Sequence, residues 1–237
     1  MAEPASQSTG LLERWLGAMS RDEFRHQVLH QTAIARPSTV HQPEALLDWQ
    51  ILDEVLASEI RPDVLVVAAG KLLPLPPPRS VAELRGYLRM GVGACVRHAE
   101  RCHPTLRAIA DAFVAELGEA QVQLFVTPGG THGFGWHYDD EDVFIAHTLG
   151  VKDYYFRANT VAADEPARGS VFGRYRDETS ALCAATLVAG DFLYVPARWW
   201  HMAVCQQTSL SISVGVTPRS EPATQPEDQA ECEPRGY

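Results

Sequence analysis

The order of patterns along this 237-residue chain predicts an α+β domain, with helices first and then strands that close into a barrel or sandwich. Three observations predict it. Before about Glu119 most apolar residues recur at the 3,4 spacing of one helix face. From Val122 to about Pro218 the chain is rich in β-branched and aromatic residues, and the Val122–Val126 stretch alternates as a strand does. The change of character is marked by a tight turn at Pro128-Gly129-Gly130.

Residues 1–9 are polar and read as a disordered N-terminus. From Leu11 to about Glu59 three amphipathic faces follow: Leu11, Leu12, Trp15 and Leu16; then Phe24, Val28 and Leu29; then Leu46, Leu47, Trp49, Leu52, Val55 and Leu56. Pro37 and Pro43 separate them. Val64–Ala68 reads as a strand, Gly70-Lys71 as a turn, and the proline-rich stretch 74–78 as a link into a helix from about Val81 to Arg89. Met90–His98 reads as a strand, and Pro104–Leu117 as a helix with Leu106, Ile109, Phe113, Val114 and Leu117 on its apolar side. The tail 219–237 is rich in Glu, Pro, Gln and Asp without apolar periodicity and reads as disordered. The chain thus divides into a disordered start over 1–9, a mainly helical region with strands that extend the core over 10–119, a barrel or sandwich core over 120–218 and an acidic, disordered tail over 219–237.

Composition narrows the function. A formal net charge of −10 and a pI near 5.3 argue against a sequence-independent nucleic-acid binder, which needs a basic stripe. The N-terminal residues lack the basic and apolar regions of a signal peptide, and no apolar run reaches spanning length, so a cytoplasmic protein with no membrane partner is expected. Five scattered cysteines do not form a disulfide framework. Cys95, His98, Cys102 and His103 cluster, but without a second ligand pair they read as buried thiols and surface histidines rather than a zinc site.

The segment Trp136-His137-Tyr138-Asp139-Asp140 is answered by Pro196-Ala197-Arg198-Trp199-Trp200-His201. On an extended segment His137 and Asp139 leave the same face. His201 lies in a second apolar, aromatic run that reads as a strand able to pair alongside. Two imidazoles and one carboxylate make the facial triad that holds non-haem Fe(II) and leaves coordination positions open.

TPGGTHGFGWHYDDEDVFI over 127–145, GVK over 150–152 and GDFLYVPARWWH over 190–201 resemble the JmjC-type cupin oxygenases, nearest the ribosomal-oxygenase-like branch. The resemblance is strong over about 120–217 and looser before it. It implies a double-stranded β-helix (cupin or jelly-roll) core, Fe(II) as cofactor, and 2-oxoglutarate and O2 as co-substrates. Position by position it implies iron ligands at His137, Asp139 and His201. It further implies a cation for the far carboxylate of 2-oxoglutarate at Lys152, and co-substrate contacts from Ser213 and Gln123. Lys152 lies fifteen residues past His137 and follows the Gly150 turn, so it is expected to begin a strand pointing inward. Ser209, Ser211 and Ser213 alternate on one face. Tyr194, Trp199 and Trp200 read as packing and wall residues, and Asp140, Glu141 and Asp142 as a solvated loop.

Three positions depart from the family pattern. His147 stands for a glutamine, Arg198 for a glycine and Tyr154 for a tryptophan. None removes a ligand. The chain ends soon after this region, where ribosomal oxygenases continue into dimerisation and winged-helix regions, which counts against a ribosomal-protein substrate. Three function classes stay open. The first is a dioxygenase hydroxylating an amino-acid side chain in a protein or peptide, with conversion of 2-oxoglutarate to succinate and CO2. The second is an oxygenase of a free or carrier-bound amino acid, and the third a non-catalytic ligand-binding cupin. No nucleic-acid partner is expected, and a homodimer is compatible with the sequence.

Overall fold

The computed structural model describes residues 10–161 and 175–218; the disordered segments expected over 1–9 and 219–237 lie outside the described residues. The helices are α1 (Leu11–Leu16), α2 (Arg21–Gln27), α3 (Pro43–Leu46), α4 (Trp49–Leu56), α5 (Val81–Arg89) and α6 (Pro104–Glu116). Their starts are written locally. Ser20 and Glu23 form a reciprocal capping box on α2, Asp48 and Ser80 cap α4 and α5 through the Ile51 and Glu83 amides, and Pro104 opens α6.

The strands are β1 (Ile34–Arg36), β2 (Asp63–Ala68), β3 (Lys71–Leu72), β4 (Gly93–Arg97), β5 (Gly118–Thr127), β6 (Asp142–Leu149), β7 (Val151–Arg157), β8 (Cys183–Val188), β9 (Phe192–Val195), β10 (Trp200–Cys205) and β11 (Ser209–Pro218). Eight make one antiparallel sheet in the order β1-β9-β6-β11-β5-β4-β2-β3, and three make a second in the order β10-β7-β8. The two sheets form the double-stranded β-helix core, with the helices against the larger one. β1 corrects the helical reading of 11–59: Ile34-Ala35-Arg36 has no period of its own and is made a strand by pairing with Tyr194, Leu193 and Phe192.

Alternation along the large sheet separates two faces. Val122, Leu124 and Val126 of β5, Phe144 and Ala146 of β6, Phe192 and Tyr194 of β9 and Ile212, Val214 and Val216 of β11 pack against the helices. Trp15 of α1 and Phe24 of α2 anchor that layer, with Trp15 5.5 Å from Phe113 and Phe24 edge-on to Tyr194 at 5.0 Å. Full burial of each such ring stabilises the fold by about 1.5–3 kcal/mol. The residues in between, among them Gln123, Phe125, Val143, Ile145, Ser211 and Ser213, turn the other way and line a cavity between the sheets. Among the described residues no helix is long and apolar enough to cross a membrane.

Candidate metal centre

His137, Asp139 and His201 converge, with one donor atom from each within 4.8 Å of the others. His201 is on β10. His137 and Asp139 lie not in a strand but in the connection between β5 and β6, which corrects the strict strand reading. His137 nevertheless pairs with His201 as an isolated antiparallel bridge, exchanging N–H···O bonds of 3.1 and 2.8 Å. One turn earlier the Arg198 amide donates to the Asp139 carbonyl at 2.7 Å. Arg198 takes φ +63°, the left-handed conformation that suits glycine at this position.

Both imidazoles are pinned by backbone. His137 Nδ1–H donates to the Gly135 carbonyl at 2.8 Å and His201 Nδ1–H to the Trp199 carbonyl at 3.0 Å. A carbonyl only accepts, so each ring carries its proton on Nδ1 and presents the Nε2 lone pair. Burial, with His201 alongside, pushes His137 down to about 4, so its imidazole is neutral at pH 7. His201 Nε2 stands 3.5 Å from Asp139 Oδ2, near the roughly 3 Å between adjacent donors around one first-row ion. Two imidazoles whose Nδ1 atoms are held by backbone carbonyls and one carboxylate, all on the cavity wall, fit a divalent metal. Among the described residues no other such group of three forms. Cys95 is buried inside the sheet, Cys102 bonds the Ile60 carbonyl and His103 meets Glu54.

The other expected site residues share that cavity. Lys152, second residue of β7, is 5% exposed and points inward, its Nζ 5.6 Å from the Phe125 ring and 5.1 Å from Tyr154. Among the described residues no carboxylate forms an ion pair with it. Ser211 and Ser213 line the same wall, and the buried Ser211 hydroxyl has no partner there. Gln123 sits directly across from Ser213 and accepts from the Cys95 thiol at 3.5 Å. That thiol is pushed up to about 12 by burial. Ser209 turns instead to Cys205, 2.9 Å away.

His147 is fully buried beside this wall, directly across from Ser211. Its Nε2–H donates to the Gly150 carbonyl at 3.2 Å, its Nδ1 has no partner among the described residues, and burial followed by Lys152 pushes it down to about 4. Trp200 is fully buried, with Tyr138 edge-on at 4.9 Å, and Trp136 stacks on Tyr175 at 4.2 Å.

The run Asp140-Glu141-Asp142 is not one solvated loop. Asp140 is exposed. Glu141 lines the cavity, accepts from Gln121 Nε2 at 2.6 Å and is pushed up by burial; its carboxylate occupies the space a side chain at Gly215 would fill. Asp142 is 2% exposed on the opposite, helix-side face. The alternation that makes Val143 inward and Phe144 outward was the available signal, hidden by four consecutive acidic residues.

Comparison with known proteins agrees with this geometry. The NO66 bifunctional lysine-specific demethylase and histidyl-hydroxylase of Drosophila sechellia is 28% identical over 188 residues, covering 73% of this chain and 28% of that protein. Ribosomal oxygenase 1 of Gallus gallus is 30% identical over 99 residues, covering 41% of this chain and 16% of that one. The chain therefore spans under a third of the length of these relatives. The X-ray structure of Escherichia coli ycfD superposes with a TM-score of 0.64 at 16% identity, covering 92% of this chain and 62% of that chain. The same protein as a ribosomal oxygenase in complex with cobalt and 2-oxoglutarate superposes at 0.61, with 15% identity and coverage of 93% and 62%. The pattern that defines the JmjC domain matches residues 96–223, more than half of the chain, and on that match the chain belongs to the JmjC-domain family.

Proposed function

We propose that this chain is an Fe(II)- and 2-oxoglutarate-dependent oxygenase that works in the cytoplasm and hydroxylates an amino-acid side chain in a protein or peptide. The observation that carries the reading is Lys152: a buried ammonium without a carboxylate partner among the described residues, in the same cavity as three converging metal donors. A buried cation requires an anion, and a 2-oxo diacid that reaches the metal with one end supplies it with the other. In this reading His137, Asp139 and His201 hold the metal, and Lys152 with Ser213 and Gln123 holds the co-substrate. When bound, Fe(II) supplies the oxygen-activating redox chemistry that couples decarboxylation of 2-oxoglutarate to hydroxylation. The chain supplies imidazoles held by backbone carbonyls through Nδ1, an apolar wall of Phe125, Val143 and Ile145 that excludes water, and a counter-charge. The relatives' names, a histidyl-hydroxylase and ribosomal oxygenases, support a protein or peptide substrate.

Half-buried Glu141 on the cavity wall favours a second reading, in which its carboxylate fixes the amino group of a free amino acid. The test is succinate formation by anaerobically purified protein given Fe(II), ascorbate, O2 and 2-oxoglutarate, with and without Lys152→Ala. Succinate that needs iron and Lys152 supports the oxygenase, and stimulation by peptides or by free amino acids separates the two readings. Absence of both turnover and 2-oxoglutarate binding by calorimetry would refute both.

A further inference from the structure

Backbone hydrogen bonds, ring contacts such as Tyr138 against Trp200, and one hydrogen bond from backbone to side chain tie the segment bearing His137 and Asp139 to the one bearing His201. His137 and His201 exchange backbone bonds, and the Arg198 amide meets the Asp139 carbonyl. Beyond them Asp142 Oδ1 accepts from the Ala197 amide at 3.1 Å. Asp142, three residues past Asp139, thus grips the turn Pro196–Trp199 at Ala197, four residues before His201. The same Oδ1 accepts from the Tyr194 hydroxyl at 2.6 Å, and Oδ2 lies 2.9 Å from His30 Nδ1. The Tyr194 hydroxyl in turn accepts from the His30 amide at 2.9 Å. His30 holds φ +61° in the connection between α2 and β1, so the helical layer reaches the metal-bearing segments through this contact.

A carboxylate that is 2% exposed is costly unless it is hydrogen-bonded, and the Tyr194 hydroxyl, the Ala197 amide and His30 Nδ1 all lie within bonding distance of this one. Tyr194 is fully buried, and burial with Asp142 beside it pushes the phenol up, so it remains the donor. None of these groups lines the cavity. Their effect on the site runs through backbone placement.

We propose that Asp142, with Tyr194 and His30, is a positioning clamp that sets the spacing of the three metal donors from the helix side of the sheet. The proposal rests on the reading of His137, Asp139 and His201 as a metal centre. Its readout is Co(II) binding by calorimetry and visible absorption, on the full chain without co-substrate. Asp142→Asn should weaken Co(II) binding by roughly 10–100-fold and shift the absorption bands, in protein that stays folded by circular dichroism. Tyr194→Phe, which keeps the buried ring and removes one donor, should weaken it at least about fivefold, and His30→Ala by less. Leu52→Ala, in the core of α4 and fully buried, lowers stability without touching the network and should bind Co(II) as the parent does.

Folded Asp142→Asn and Tyr194→Phe proteins that bind Co(II) within about threefold of the parent would overturn the clamp and leave the metal centre standing. If Asp142→Asn fails to fold, Tyr194→Phe decides by the same threshold. A parent protein that does not bind Co(II) would instead overturn the metal centre, and the clamp with it.

Discussion

Replacing Lys152 with methionine keeps the length of the side chain and removes its charge, which separates its packing from the anion-binding role proposed for it. A carboxylate at 4 Å from the ammonium gains about 4 kcal/mol at an effective dielectric constant near 20. Desolvating the incoming carboxylate cancels part of that, leaving about 2–3 kcal/mol in favour of binding. Lys152→Met should therefore weaken 2-oxoglutarate binding by roughly 30–150-fold, at about 1.4 kcal/mol per decade. The free protein should respond in the opposite direction. There, among the described residues, the ammonium has the Phe125 and Tyr154 rings for partners, worth about 0.5–1 kcal/mol each, so removing it relieves a desolvated cation. Melting without ligand should stay level or rise. Calorimetry of 2-oxoglutarate into Mn(II)-loaded protein, beside thermal melts of metal-free protein, tests both arms. Binding within about threefold of the parent would refute Lys152 as the anion's partner.

Other outcomes follow from the same geometry. His137→Ala or Asp139→Ala should reduce iron-dependent succinate formation to background while shifting the melting temperature by only a few degrees, roughly, since the Asp139 side chain is 45% exposed and His137 leaves the sheets intact; full activity in either variant would refute the ligand set. His147 is held near 4 against about 6.5 unfolded, so between those values the unfolded chain binds more protons and stability falls as pH drops. The loss comes to about 3 kcal/mol by pH 4 and is absent above pH 6.5, so urea melts of His147→Gln in a chelator should show a flatter acid limb than the parent. Gly150 has φ +84°, and a side chain there would run into the Thr208 carbonyl; Gly150→Ala should cost about 3 kcal/mol, seen as a melting temperature lower by roughly 6–12 °C.

The helices and the site were legible for different reasons. α5 and α6 were readable because apolar period, cap and proline agreed at each start, and the observed spans Val81–Arg89 and Pro104–Glu116 match that reading closely. Lys152 was readable because the Gly150 turn sets the phase of β7 and alternation then fixes the inward face. β1 was not, because three residues carry no period and their strand is induced by the edge of β9. Asp142 was not, because composition alone makes it one of four consecutive acids. Its burial depends on Tyr194 and His30, which lie 52 and 112 residues away in sequence. Charge runs hide alternation; only the partner across the layer reveals which member is inside.

The inner row of β11 sets out how the cavity would orient a doubly charged co-substrate under the proposed reading. Ser211, Ser213 and Gly215 follow one another on that face, so its ends lie about 13 Å apart at 3.3–3.4 Å per residue. Phe125, against which Lys152 rests, is paired with Ser211, whereas Gln121, which holds Glu141, is paired with Gly215. Positive charge thus stands at one end of the row and negative charge at the other. The negative end, with Asp139 and Glu141, is the more exposed of the two. Under the proposed reading a dianion entering there is repelled by both carboxylates until the metal offsets them, and its leading carboxylate is drawn on to Lys152. Metal loading should then precede tight co-substrate binding, because without the ion the field near the triad opposes the anion. Under the same reading the Phe125 and Tyr154 rings hold the buried lysine in place in the free protein, and a bound co-substrate would supply the missing charge.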